Sequence, residues 1–384
     1  VPDPFGFDAV DLDWLRAKPG AKWHRHPGAL AAWVADMDFR PPPVVVDALQ
    51  SLIDGGDLGY PDWKTPMAGS PVRDTWAERC ARRYGWAPDA HLTREFCDVV
   101  QAIEAVLHLC TSPGDGIVVH APSYPPFLRS VDDTRLRLVP VPAEPDGDRW
   151  TFDHDALDAS LSAESARVLL LCHPHNPTGH VFGRAELERL AEIAERHDLL
   201  VISDEIHADL TYAPATHVPM AAVLPDRTVT IHSASKAFNL AGLRYAIAHL
   251  GPEWVRERFE AAPGHLFGAI SRPAAVATEV VWRDGDPWLA AVIEHLDRNR
   301  RLLADLLAEH LPAAGYRLPE ATYLAWLDCR ALGLDGEPVD EFGRRGVVLS
   351  GGPDFGPRGA GHVRVNFATS AAILTAIVER MATA

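Results

Sequence analysis

The chain has 384 residues, enough for two or three units of ordinary size, and 47% of them are hydrophobic against 23% charged. That composition excludes a disordered chain. A formal charge of −17, from 36 Lys and Arg against 53 Asp and Glu, argues against nucleic acid as a partner, because phosphate would be repelled.

Residues 1–44 are rich in Pro and Trp and hold little periodic pattern. Val1–Asp13 has no basic segment followed by an apolar run, so no signal peptide is expected. No apolar stretch approaches the roughly 18 residues of a membrane span, so no membrane partner is expected either. The five cysteines, Cys80, Cys97, Cys110, Cys172 and Cys329, are odd in number and form no CxxC pair. They read as reduced thiols of a cytoplasmic protein. Arg40-Pro-Pro-Pro43 starts a helix over Val44–Ile53.

A helix is expected over Val99–Leu109; its first backbone N–H groups make an anion cradle. Short apolar runs then alternate with helical patterns: Gly116–Ala121, Arg167–Cys172, Leu199–Ser203, Arg227–His232 and Tyr245–Leu250 read as strands. Most are apolar on both faces, as for strands covered by helices on both sides. Gly183–Asp198 carries Leu187, Leu190, Ala191, Ile193 and Ala194 at helical spacing. This βα alternation predicts an α/β fold with a mainly parallel sheet. Residues 285–384 hold a long helix (Trp288–Leu311), strand candidates at Tyr323–Asp328, Val347–Leu349 and His362–Asn366, and a final helix. The expected division is a large domain over 45–284 and a smaller α+β domain from 1–44 and 285–384.

The chain has four lysines, Lys18, Lys22, Lys64 and Lys236, so any role that needs an amine has few candidates. Ser233-Ala-Ser-Lys236 follows a strand, where an α/β sheet binds its ligands, with two hydroxyls beside the lysine and Arg244 eight residues on. The plain alternative is a surface lysine beside a core arginine. Asp204, in Ser-Asp-Glu-Ile-His at another strand end, would be partly buried and in need of a cationic partner; its alternative is a helix N-cap. In His173-Pro-His-Asn-Pro-Thr-Gly179 the prolines and glycine mark a turn that could present the Asn176 amide to a ligand. His173 and His175 have no evident third ligand, so no metal is expected. Ser123-Tyr-Pro-Pro-Phe127 places Tyr124 where it could stack on a planar ring.

Taken in order, these segments resemble the fold-type I pyridoxal phosphate (PLP) enzymes of the class I/II aminotransferase superfamily over nearly the whole chain. Within them the sequence is most similar to the MalY/PatB-like cystathionine β-lyase (C–S lyase) branch. The carriers are WVADMDF (33–39), GYPDWK (59–64), HAPSYPPF (120–127), PHNPTG (174–179), VISDEIHADL (201–210), SASKAFNLAGLR (233–244), TYLAWLD (322–328) and VRVNFA (363–368). The resemblance implies a seven-stranded, mainly parallel sheet. It also implies that Lys236 carries the cofactor covalently, Asp204 pairs with its ring nitrogen, Asn176 and His207 lie toward its ring oxygen, and Tyr124 stacks on it. Ser233, Ser235, Arg244 and the backbone at Val100 and Gln101 would hold the phosphate. Tyr60 would reach the neighbouring subunit's phosphate in a homodimer. Arg364 would clamp the carboxylate of a small amino-acid substrate, with Asp36, Met37 and Tyr323 beside it.

DMDF, His207 and TYLAWLD favour the lyase branch. It implies cleavage of a cysteine S-conjugate to thiol, pyruvate and ammonia, with Lys236 moving the α-proton. The alternatives are an aminotransferase on the same residues, a PLP enzyme of specialised metabolism acting on a thiol conjugate or by oxidative deamination, and a regulatory interaction role. Two departures stand out: Asp98, an acid just before the phosphate cradle, and Ser350-Gly-Gly-Pro-Asp-Phe-Gly356 near the substrate.

Overall fold

The computed structural model describes residues 3–59 and 71–383. Its main sheet contains β1 (Thr93–Phe96), β2 (Gly116–Ala121), β3 (Arg137–Asp146), β4 (Arg149–Phe152), β5 (Val168–Cys172), β6 (Leu200–Asp204), β7 (Thr228–His232) and β8 (Ala246–Leu250). The spatial order is β1-β8-β7-β6-β5-β2-β3-β4. Strands β3, β2, β5, β6 and β7 are mutually parallel; β8 alone runs against them, antiparallel to both β7 and the edge strand β1, which shares the direction of the other five. Seven strands match the expected sheet. The eighth, β4, folds back on the outer half of β3 through the two-residue turn Gly147–Asp148, with Gly147 at φ 53°.

Every residue of β5, β6 and β7 is buried, because alternate side chains enter cores on opposite faces. Leu170, Ile202 and Ile231 pack with the helices Val99–Cys110 and Glu253–Ala261 on one face. Leu169, Leu171 and Val201 meet Leu187, Leu190 and Ile193 of the helix Arg184–Arg196 on the other. Strand β3 carries Pro140, Pro142 and Pro145, which argue against a strand in the sequence. At the sheet's margin a missing N–H costs no ladder bond.

Residues 315–366 form a smaller antiparallel sheet of β9 (Gly315–Tyr316), β10 (Leu324–Asp328), β11 (Ser350–Gly351) and β12 (His362–Asn366), ordered β9-β10-β12-β11. Leu30–Ala31 pairs in parallel with Val347–Val348. A third core joins this region to the helices Pro71–Tyr84, Arg272–Asp284, Asp286–His310 and Ala371–Met381. The segment after Ala31 is tied to β12: Asn366 N–H donates to Ala32 O at 2.9 Å, and Asn366 Nδ2 donates to Val34 O at 2.6 Å and Asp36 O at 2.7 Å. That lacing carries Ala35 and Asp36 across the C-terminal ends of the main-sheet strands. Among the described residues, no helix is long and apolar enough to cross a membrane.

Candidate active site

Parallel strands end at one edge, and the chain turns there deliver functional groups to a common crevice. Strand β6 ends in Asp204, β5 leads to the loop with Asn176, β7 leads to Ser233–Lys236, and β2 leads to Tyr124 at the N-cap of the helix Pro125–Asp133. These groups line one cleft open to solvent, together with Val100, His207, Ser235 and Arg244.

Lys236 Nζ donates to the Ala35 carbonyl at 2.8 Å. Loss of solvent pulls its amine below the ordinary lysine pKa, opposed by Asp36 and reinforced by Arg364. Asp204 is buried; its Oδ1 accepts the Ile206 N–H at 3.0 Å, while Oδ2 makes no hydrogen bond among the described residues. Burial pushes its carboxyl up to about 7, with the neighbouring Glu205 carboxylate adding to the rise and the Ile206 N–H and Lys236 opposing it. Glu205 is held from behind, by Ser203 Oγ at 2.9 Å, Met220 N–H at 3.0 Å and His217 Nε2 at 2.8 Å. The aspartate therefore sits in the crevice as a carboxyl awaiting a cation.

Arg364, on the central strand β12, is 5% exposed. Its Nη1 donates to Asn176 Oδ1 at 3.1 Å, and its Nη2 donates to Trp33 O at 2.9 Å and Ser350 Oγ at 3.2 Å. Its Nε is buried without a partner, and burial pulls the guanidinium down to about 10. A buried guanidinium with an unspent N–H and, among the described residues, no carboxylate bridged to it is suited to an incoming carboxylate. Ser350, in the departing Ser350–Gly356 loop, is a support that residue type alone did not reveal.

His207 lines the cleft with Nδ1 unpartnered, and burial together with Lys236 and Arg364 holds it down to about 3, so it is a neutral imidazole. Tyr124 is half-buried, with its phenol pushed up by burial. Tyr323 is buried and donates its hydroxyl to Ala35 O at 2.7 Å, the carbonyl that Lys236 also uses. Asp36 and Met37 line an adjoining cleft, and the Met37 backbone is bracketed by Asn239. Tyr60 lies outside the described residues. His173 and His175 are internal supports, against Val218 O at 3.0 Å and Thr178 Oγ1 at 2.8 Å.

The expected phosphate donors are not equally free. Ser233 Oγ donates to Tyr245 O at 2.6 Å and accepts the Ser235 N–H at 3.1 Å, so it braces the turn. Gln101 does not face the cleft as expected: its N–H donates to Asp98 Oδ1 at 2.8 Å, and its side chain spans Cys97 N–H and Phe267 O. The reason is local, since Asp98 is the N-cap and Gln101 the third helical residue. Asp98 Oδ2 also pairs with Arg244 Nη2.

The family model for aminotransferase class I and II matches residues 34–381. The chain belongs to that family. A Mycobacterium tuberculosis protein provisionally named a cystathionine beta-lyase is 39% identical over 99% of this chain and 98% of its own length. Cystathionine beta-lyase PatB of Bacillus subtilis is 34% identical over 90% of each chain. The PLP-bound C–S lyase of Staphylococcus hominis superposes with a TM-score of 0.91 at 29% identity, over 98% of this chain and 97% of that one.

Proposed function

We propose that this family member is a PLP-dependent carbon–sulfur β-lyase that cleaves a cysteine S-conjugate to a thiol, pyruvate and ammonia. The observation that carries the reading is the meeting of the Lys236 amine and the Asp204 carboxyl in one cleft, with the buried Arg364 guanidinium bonded to Asn176 of its lining. The relatives' names favour the lyase outcome over transamination.

The residues present fit the cofactor. Asp204 lines the crevice with Oδ2 unpartnered among the described residues, which suits a protonated ring nitrogen. Asn176 and the neutral His207 lie beside it for a ring oxygen, Tyr124 offers a flat face, and the Val100 N–H, Ser235 and Arg244 surround an anion's place. When bound, PLP supplies an electron sink conjugated to the substrate's α-carbon.

Lys236 would hold the cofactor, and its Nζ, when free, would take the α-proton of the bound substrate. Its depressed basicity keeps a fraction of that amine neutral, as a base must be. Asp204 fixes the charge that the ring must keep. Arg364 binds the substrate carboxylate and so sets the Cα–H bond toward Lys236. The Ala35 carbonyl, released by Lys236, remains held by Tyr323. The β-thiolate then leaves, and water completes the conversion of the remaining three carbons to pyruvate and ammonia.

The reading includes a homodimer in which Tyr60 completes the neighbouring subunit's site, a cytoplasmic location consistent with five unpaired thiols, and the division into 45–284 and 1–44 with 285–384. The decisive assay supplies L-cystathionine or a simple S-substituted cysteine without a keto acid. Pyruvate and thiol should appear in equal amounts. No pyruvate from S-conjugates, together with turnover only when a keto acid is added, would establish an aminotransferase instead.

A further inference from the structure

The cradle for the cofactor's phosphate contains an anion of its own. Helix Val99–Cys110 opens with N–H groups at Val99 and Val100 that have no partner among the described residues, but the third amide, at Gln101, is closed by Asp98 Oδ1 at 2.8 Å. The other carboxylate oxygen pairs with Arg244, whose backbone is left-handed at φ 60° and whose side chain is 63% exposed. Asp98 lines the same cleft as Ser235, Arg244 and Lys236. One side chain thus engages both kinds of donor that hold a phosphate: a helix N-terminal amide and a guanidinium.

Resting on the PLP reading above, we propose that Asp98 is an internal competitor for the cofactor's phosphate. In the cofactor-free enzyme its carboxylate occupies Arg244 and the helix end. An arriving phosphate takes Arg244 from it and thereafter lies beside a like charge. Two like charges a few ångströms apart repel measurably even near a surface. Asp98 therefore lowers cofactor affinity and speeds cofactor exchange, while as N-cap it still contributes to the helix. It is a positioning residue, not a catalytic one.

The test uses the cofactor-free full chain and three probes: inorganic phosphate, PLP and pyridoxal, which lacks the phosphate. Binding is followed by calorimetry and by cofactor fluorescence. Asp98→Asn keeps an N-cap side chain and removes the charge. It should tighten phosphate and PLP about tenfold and leave pyridoxal unchanged. Asp98→Ser, a second capping variant, should do the same if the charge is what matters. Equal or weaker phosphate binding by both variants would overturn the proposal while leaving the cofactor assignment intact. PLP and pyridoxal binding equally weakly to the unaltered chain would remove the phosphate site itself, and the proposal with it.

Discussion

Arg364 Nη1 donates to Asn176 Oδ1 at 3.1 Å, across 188 residues of sequence. The bond joins β12 of the smaller sheet to the loop after β5 of the main sheet. A group placed for the substrate carboxylate is thus in direct contact with one placed for the cofactor ring. A shift in either sheet is felt at both.

Arg364→Ala should lower kcat/KM by about 10²-fold or more, since the reacting bond loses its alignment. Visible absorbance of the bound cofactor should persist, because Lys236 and Asp204 are untouched. Arg364→Lys should recover little, as an ammonium cannot reproduce bonds to Asn176, Trp33 and Ser350 together. Steady-state kinetics beside an absorbance spectrum checks both statements.

Lys236→Ala should abolish turnover, because it removes both the attachment and the base. Borohydride reduction of the unaltered yellow enzyme, followed by peptide mapping, should mark Lys236. A mark at Lys18, Lys22 or Lys64 would refute the assignment.

Asp204→Asn should retain PLP and lose about 10²–10³-fold in kcat, the scale for removing a placed electrostatic group. The cofactor-free protein offers an independent check. Asp204 has a carboxyl near 7 when folded, against 3.8 as its ordinary value. Between those values the unfolded chain is ionised and the folded one protonated, so stability falls as pH rises from about 4 to 7. Asp204→Asn should remove that fall, gaining up to ~4 kcal/mol on the unaltered chain between pH 4 and pH 8. Denaturant titrations at the two pH values would show it; a difference independent of pH would count against the buried carboxyl.

Gly179→Ala should destabilise the protein by at least ~2 kcal/mol and lower its Tm by several degrees. Gly179 is left-handed at φ 72°, and an added Cβ would collide with Pro319 and stand 2.9 Å from Ala321 O. The same glycine carbonyl accepts the Glu320 and Ala321 N–H groups at 3.0 Å, so the loop bearing Asn176 would move with it. Calorimetry with and without PLP measures the loss.

Sedimentation at micromolar concentration should give a dimer, and Tyr60→Phe should weaken PLP binding without dissociating it. A fully active monomer would contradict the shared site.

Much of this was legible in the residues. Strands β5 and β6 declare themselves as short, largely aliphatic runs and β7 as a β-branched one, because a strand covered on both faces is buried at every position. Asp204, Asn176 and Lys236 follow those runs, so their arrival at one edge follows once the strands are parallel. Strands β1 and β4 were hidden because short strands at the sheet's edges lack a continuous apolar run, and β3 because its prolines mimic a loop.

What the sequence by itself determined, then, was the run of central strands, the order of groups along them, and the family those groups belong to. These are local properties: an apolar run, a turn, a residue type at a strand end. Only the tertiary structure decided which groups touch. Lys236 meets Ala35 across 201 residues, Arg244 meets Asp98 across 146, and Tyr323 reaches Ala35 across 288. No periodicity encodes such pairings. They depend on a third core drawing both chain ends together, and on Asn366 lacing the segment from Ala32 to Asp36 over the strand ends. The Asp98 carboxylate shows the difference most plainly. Its residue type announced an acid beside an anion site, but only packing could aim one oxygen at the helix end and the other at Arg244.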